Sequence, residues 1–201
     1  MLNDITVFNI REYLQSNDDD LGEDALREVL SEFSCEKNPD VEKFLKEQAI
    51  EFTKKNQSVT YIVLSNDAEL LGYFTLAIKP ITVRVSAITK TMARKVARVS
   101  ELNEYDGSYL LSAFLIAQLG KNYRNDLDKR ITGEQLLEAA VATIRELQFR
   151  AGGMVVFLEA VPEERLLYFY QVKNQFKLFD SRLAKGGLPE EHTLVQLLKV
   201  L

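Results

Sequence analysis

One cysteine, Cys35, stands in 201 residues, so no intramolecular disulfide can form and nothing asks for an oxidising compartment. Tryptophan is absent, and histidine occurs once, as His192 in a Gly/Pro-rich, surface-like segment. That scarcity leaves histidine-based acyl-transfer pairs, Ser-His-Asp triads and two-histidine metal sites without parts. No metal site is therefore expected. No G-x-x-x-x-G-K-[ST] loop occurs, which removes the usual nucleotidase reading. No run approaches the roughly 18 apolar residues needed to span a bilayer. Met1-Leu2-Asn3-Asp4 brings neither a basic region nor an apolar run, so no signal peptide is expected. The reading is a cytoplasmic protein with no membrane partner.

The composition is otherwise ordinary for a folded chain. Hydrophobic residues make up 46% and charged residues 27%, and the formal net charge is −5. That charge argues against binding nucleic acid with the whole surface, but not against a local basic face. No repeat or low-complexity linker divides the chain, so one domain over 1–201 is expected. The loop-rich breaks are Ser16–Gly22, with Asp18-Asp19-Asp20, and Cys35–Asp40. An amphipathic helix over Glu23–Phe33 lies between them, carrying Ala25, Leu26, Val29, Leu30 and Phe33 on one side. The acidic run favours its N-terminus through the helix dipole. Another helix begins at Val41. Thr60–Leu64 and Leu70–Leu76 read as a hairpin around Asn66-Asp67. Strands and helices then alternate to a last strand over Thr193–Val200. The expected class is α/β: a mixed, mostly antiparallel sheet with a parallel pair at a crossover, and helices on both faces.

The stretch richest in chemistry is Lys129-Arg130-Ile131-Thr132-Gly133. It joins a buried strand over Leu110–Leu119 to a helix that carries Leu136, Leu137, Ala140, Val141, Ile144 and Leu147 on one face. A strand feeding a loop that opens a helix aims unpaired N–H groups and the positive dipole end at one spot, which suits phosphate. The plain alternative is a solvated connection capped by Thr132. Thr132 and Gln135 also spell a T-x-x-Q capping box, which uses the same N–H groups.

Downstream come Gly152-Gly153, a strand over Met154–Leu158, a helix over roughly Glu163–Val172 and a short strand over Gln175–Phe179. This order resembles the GNAT superfamily of acetyl-CoA-dependent N-acetyltransferases. There a strand meets a pyrophosphate loop of pattern Q/R-x-x-G-x-G/A and a helix, and a later helix ends in an F-Y-x-x-x-G-F-like motif. The loop here reads Asp128-Lys129-Arg130-Ile131-Thr132-Gly133, matching only the final glycine. The ending reads Phe169-Tyr170-Gln171-Val172-Lys173-Asn174-Gln175-Phe176, one residue longer, with Gln175 in the glycine's place. The upstream helix and hairpin, with Gly72-Tyr73-Phe74-Thr75-Leu76, look like the subgroup that includes tRNA-acetylating toxins. The resemblance covers about Asp40–Val200, and residues 1–38 are expected to be an accessory segment.

The resemblance implies direct attack of a primary amine on the acetyl-CoA thioester. Leu119, Gly120 and Lys121, at the end of the first strand, would meet the acetyl group and pantetheine. Gly120 would admit the ligand closely, or else simply end the strand. Lys129, Arg130, Ile131, Thr132, Gly133 and Glu134 would hold the pyrophosphate. Tyr170 would protonate the departing thiolate, with Tyr168 as the substitute if the motif slips. Glu69, Glu101, Glu104 and Glu159 are candidates for the base, beside a water relay. The acceptor is a small amine, a protein amine or an aminoacyl-tRNA, and a homodimer is among the assemblies allowed. A non-catalytic GNAT-fold protein that binds a CoA species or a protein partner is the rival. Between Lys79 and Ser100 stand six cations and no acid. They read either as a solvated helix face with a blocked edge strand or as a contact for an anionic partner.

Overall fold

Residues 5–15, 22–184 and 192–201 are described by the computed structural model. The Asp18-Asp19-Asp20 run and the Gly/Pro-rich segment before His192 lie outside them. The chain forms two compact units, Met1–Ala77 with Ala117–Thr143, and Ile78–Ile116 with Ile144–Leu201. The boundaries fall inside two strands and one helix, so these elements serve both units.

In the first unit β1 (Ile5–Asn9) leads into α1 (Ile10–Gln15), α2 (Glu23–Ser31) and α3 (Pro39–Lys43). The side chain of Asn38 accepts from the Val41 N–H and Pro39 opens α3, which together make a strong helix start. A π-helical turn, Phe44–Gln48, passes into α4 (Ala49–Lys54). Then β2 (Val59–Ser65) and β3 (Leu70–Arg84) form the expected hairpin. The first half of β3 is buried on both faces. Tyr61 stacks on its cross-strand partner Phe74 at 5.1 Å, and the Thr60 and Thr75 hydroxyls bond at 2.8 Å.

The described parts of residues 1–38 pack within the first unit. β1 pairs antiparallel with β2, and Ile10, Leu26, Leu30 and Phe33 are each at most 1% exposed in one core with Leu45, Ile62 and Tyr73. The family resemblance did not reach them because no family motif falls there. The alternation of apolar residues in Glu23–Phe33 carries the information instead.

The second unit contains a 3-10 turn, Val85–Ala87, then α5 (Lys90–Val96), β4 (Leu102–Asn103) and most of β5 (Ser108–Lys121). After α6 (Gly133–Ala151) come β6 (Val155–Ala160), α7 (Glu164–Leu167), a π-helical turn over Tyr168–Lys173, β7 (Lys177–Ala184) and β8 (His192–Val200). The strand order is β1-β2-β3-β5-β6-β8-β7, with β4 on β5. β5 and β6 are the parallel pair. The β1–β2, β2–β3, β4–β5, β6–β8 and β7–β8 ladders run antiparallel. The last strand inserts between β6 and β7.

Lys79–Arg84 is not a separate edge strand, as the sequence suggested, but the far half of β3. The β2 ladder stops opposite Leu76, so this half, which holds Pro80, lacks a β2 partner. The cation-rich edge of the sequence reading thus survives as a local edge on a long strand.

Asn122, fully buried at the end of β5, binds the first unit's backbone together. Its Oδ1 accepts from the N–H groups of Ser34 at 2.9 Å and Arg124 at 3.1 Å. Its Nδ2 donates to the carbonyls of Glu32 at 3.1 Å and Leu70 at 2.8 Å. Replacing Asn122 by Ala removes four bonds, of which the one to Leu70 O is buried and the other three are part-buried. A buried group left unpaired costs about 1–3 kcal/mol, so the expected loss is about 2–3 kcal/mol, read as a lower denaturant midpoint with an unchanged slope.

Candidate active site

The loop after β5 is fastened from inside. Lys121 Nζ donates to the carbonyls of Asp128 at 2.6 Å and Ile131 at 3.1 Å. Tyr123 N–H donates to Ser34 O at 2.7 Å, and the Lys37 ammonium lies 4.2 Å from the Tyr123 ring centroid. A 3-10 segment, Arg124–Lys129, turns through Asn125 and Asp126, both left-handed at φ 50° and 61°. Asn and Asp tolerate that region best among residues with a Cβ. Ile131, in place of the family's middle glycine, is 1% exposed and pins the loop to the core. With Ile131 buried and Lys121 bound to carbonyls, these two side chains are committed to the loop's own shape. Any part they take in holding a cofactor falls to their backbone.

α6 begins with the capping box read from the sequence. Thr132 N–H donates to Gln135 Oε1 at 2.8 Å, and Gln135 N–H donates to Thr132 Oγ1 at 3.1 Å. The box claims the amides of Thr132 and Gln135 and leaves that of Gly133 outside it. Lys129 and Arg130, the two loop cations, are engaged. Lys129 pairs with Asp126 at 2.9 Å, and the hydrogen bond to that carboxylate raises its pKa. Arg130 pairs with Asp67 at 2.9 Å and also with Glu69, both from the β2–β3 turn.

Gly120 answers to packing. A Cβ there would collide with Val41 and press on Phe33 and Tyr73. Packing is thus one reason for a glycine at this position. Leu119 beside it is half-buried.

Tyr170 lies in the second unit, in the π-helical turn. An inserted residue in a helix widens one turn to i→i+5 bonding, and the extra residue of the Phe169–Phe176 ending does this. Asn174 N–H donates to Phe169 O at 3.2 Å, and Phe176 N–H closes back on Tyr170 O at 2.9 Å. Gln175 takes φ 60°, the left-handed conformation for which the family uses glycine. The Tyr170 ring meets Phe169 edge-on at 4.9 Å and Phe176 at 6.1 Å. Burial pushes its phenol up to about 12. Tyr168 is 54% exposed, whereas Tyr170 is half-buried.

The carboxylates expected as bases divide sharply. For Glu159 burial acts upward, but hydrogen bonds from Arg182 and Gln196 outweigh it and hold the carboxyl below the usual range. A locked, strongly ionised carboxylate is a poor proton acceptor. Glu69 is occupied by Arg130. Glu101 and Glu104 are exposed. The cations Lys79, Arg84, Lys90, Arg94, Lys95 and Arg98 are exposed, and none has an ion-pair partner among the described residues. α5 buries Val96 against Val83 and Tyr109, and turns these charges outward. No described helix is long and apolar enough to cross a membrane. No described cluster of three or more His, Cys, Asp or Glu could hold a metal ion.

No family model and no curated protein sequence matches the chain. Solved structures do. AtaT complexed with acetyl-methionyl-tRNAfMet is 17% identical over 96% of this chain and 94% of its own, with a TM-score of 0.62. A tyrosine-to-phenylalanine variant of KacT is 18% identical over 98% and 95%, also at 0.62. A tyrosine-to-phenylalanine variant of the AtaT toxin, bound to acetyl-CoA and to the C-terminus of the antitoxin AtaR, is 14% identical over 98% and 93%, at 0.56. These likenesses show that the chain has the fold of those proteins, the GNAT fold.

The ion pairs of Arg130 yield a prediction. Exposed pairs are each worth about 0–1 kcal/mol, so removing both carboxylates frees the guanidinium at little cost to the fold. The double variant Asp67→Asn, Glu69→Gln should bind CoA about two- to fivefold more tightly by calorimetry. Unchanged or weaker affinity would show that Arg130 does not meet the pyrophosphate.

Proposed function

We propose that the protein is an N-acetyltransferase that moves an acetyl group from acetyl-CoA to a primary amine by direct attack. The reading is carried by Tyr170, a half-buried phenol whose pKa burial raises, set in the Phe169–Phe176 ending that resembles the family's. When bound, acetyl-CoA supplies an activated thioester. The residues of the loop fit its pyrophosphate. The amide of Gly133 lies outside the capping box at a helix N-terminus, and Lys129 and Arg130 sit in exposed pairs that exchange easily. Charge-assisted bonds to an anion are worth about 1.5–3 kcal/mol each, more than those pairs.

As the amine nitrogen bonds to the carbonyl carbon, the carbon–sulfur bond breaks and charge gathers on sulfur. Tyr170 is fully protonated at neutral pH, so it can donate to that thiolate. The burial that keeps it neutral also makes it a reluctant acid. Its main service is a preorganised hydrogen bond that strengthens as the thiolate forms. Of the carboxylates considered, Glu159 is set aside by its ion pair, which favours a water relay for the amine's proton.

Incubation with acetyl-CoA and mixed amines, followed by mass spectrometry, tests the activity. Tyr170→Phe should lower turnover by about 10²-fold with acetyl-CoA affinity unchanged. Tyr168→Phe should leave both near wild type. The opposite result would move the role to Tyr168.

For the acceptor we infer an aminoacyl-tRNA. Two observations support this: the fold likeness to a protein solved with acetyl-methionyl-tRNAfMet, and the exposed cations of Lys79–Arg98, which have no ion-pair partner among the described residues. If those cations meet phosphates, affinity for tRNA falls steeply with salt. Changing Arg94, Lys95 and Arg98 to Ala should flatten the salt slope by roughly one unit per lost contact. Filter binding across a salt series measures it, and no retention of tRNA at low salt would remove this acceptor. The second reading, a non-catalytic CoA binder, is favoured by Asp128 and Ile131 in the loop. It predicts CoA binding with no transfer to any amine.

A further inference from the structure

We propose that Lys199 is a positioning residue for Tyr170, acting through the carbonyl of Asn174 and the ring of Phe176. The inference rests on reading Tyr170 as the proton donor. Lys199 stands on β8, opposite Val156 of β6, so its origin is fixed within the sheet. Its Nζ donates to Asn174 O at 3.0 Å and lies 5.8 Å from the Phe176 ring centroid. Phe176 in turn walls Tyr170, its ring 6.1 Å away and edge-on, and its N–H donates to Tyr170 O at 2.9 Å.

The turn from Asn174 to Phe176 needs such a tie. Asn174 spends both its N–H and its Nδ2 on Phe169 O, at 3.2 and 2.9 Å, to close the π-helical turn. Gln175 comes next at φ 60°, which a side chain makes unfavourable. The chain then reverses to bring Phe176 under Tyr170. Relaxation of Gln175 would carry Phe176 away and admit water to the phenol. Lys199 opposes this by anchoring the carbonyl just before the strained residue to the sheet. The anchor is placed at some expense, because burial and the nearby Arg145 charge lower the ammonium's pKa. Burial is the cause of the raised Tyr170 phenol, so it depends on the Phe176 wall staying shut.

Spectrophotometric titration of tyrosinate tests the proposal without reference to turnover. Each curve is taken as the difference between a protein and its Tyr170→Phe counterpart. In Lys199→Met, which keeps an apolar stem over Phe176 but loses the donor, the Tyr170 midpoint should move down by about one pH unit. Lys199→Arg, which keeps a donor, should restore it. Transfer assays should show kcat lowered about tenfold in Lys199→Met with KM for acetyl-CoA unchanged, a split that general loosening of the fold would not give. A Lys199→Met curve that overlays wild type overturns the proposal, as does an equal shift in Lys199→Arg. If Lys199→Met does not fold, Lys199→Gln, whose shorter stem cannot reach Asn174 O, gives the same reading. Absence of transfer by the wild type would instead count against the acetyltransferase reading and leave the titration to decide the role of Lys199.

Discussion

The side chain of Asn122 settles four backbone groups that secondary structure cannot satisfy, and the first unit's loops hang from it. It ties the end of α2, the start of β3 and the first residues after β5. A buried amide that meets all its partners specifies a single arrangement, because every alternative leaves polar groups unpaired in a dry place. The loop from Tyr123 to Gly133 inherits its starting direction from this residue. Lys121, Ile131 and the Thr132–Gln135 box then fix its far end. The same neighbourhood forces Gly120, since the helical layer closes directly over it.

Irregular helix is used twice, at Phe44–Gln48 and at Tyr168–Lys173. A π-helical turn gives up regular bonding and shifts the register of the downstream residues by one. In the second case it carries Tyr170, and Gln175 completes the reversal in a conformation suited to glycine. This end of the helix is less comfortable than the family's glycine version, and it is held by Asn174, Phe176 and Lys199.

Charge is distributed with a clear division. Around the pyrophosphate loop the cations are matched by carboxylates: Lys129 by Asp126, and Arg130 by Asp67 and Glu69. On the Lys79–Arg98 segment they are exposed and unmatched among the described residues. In a chain of net charge −5, such a face concentrates its potential locally. The first arrangement suits a site that opens for a charged ligand, and the second suits a surface that waits for one.

Much of this was legible in the chain itself. Periodicity in Glu23–Phe33 and in the helix from Gly133, the hairpin about Asn66-Asp67, and the capping box all depend on neighbours within a few residues, and sequence reports such neighbours directly. The surplus residue between Phe169 and Phe176 was countable in the chain, but the π-helical turn that takes it up is seen only in the fold. The features that the tertiary structure alone decided rest on distant partners. That the described elements before Asn38 join the first core depends on β1 pairing with β2. That Gly120 serves packing depends on Val41, about eighty residues away. That Arg130 is held and Glu159 disqualified depends on Asp67, Glu69 and Arg182 arriving from other strands. Local spacing fixes which elements form, because backbone bonding and apolar period are short-ranged. The state of each functional side chain is fixed by charges and walls that only the folded chain brings near.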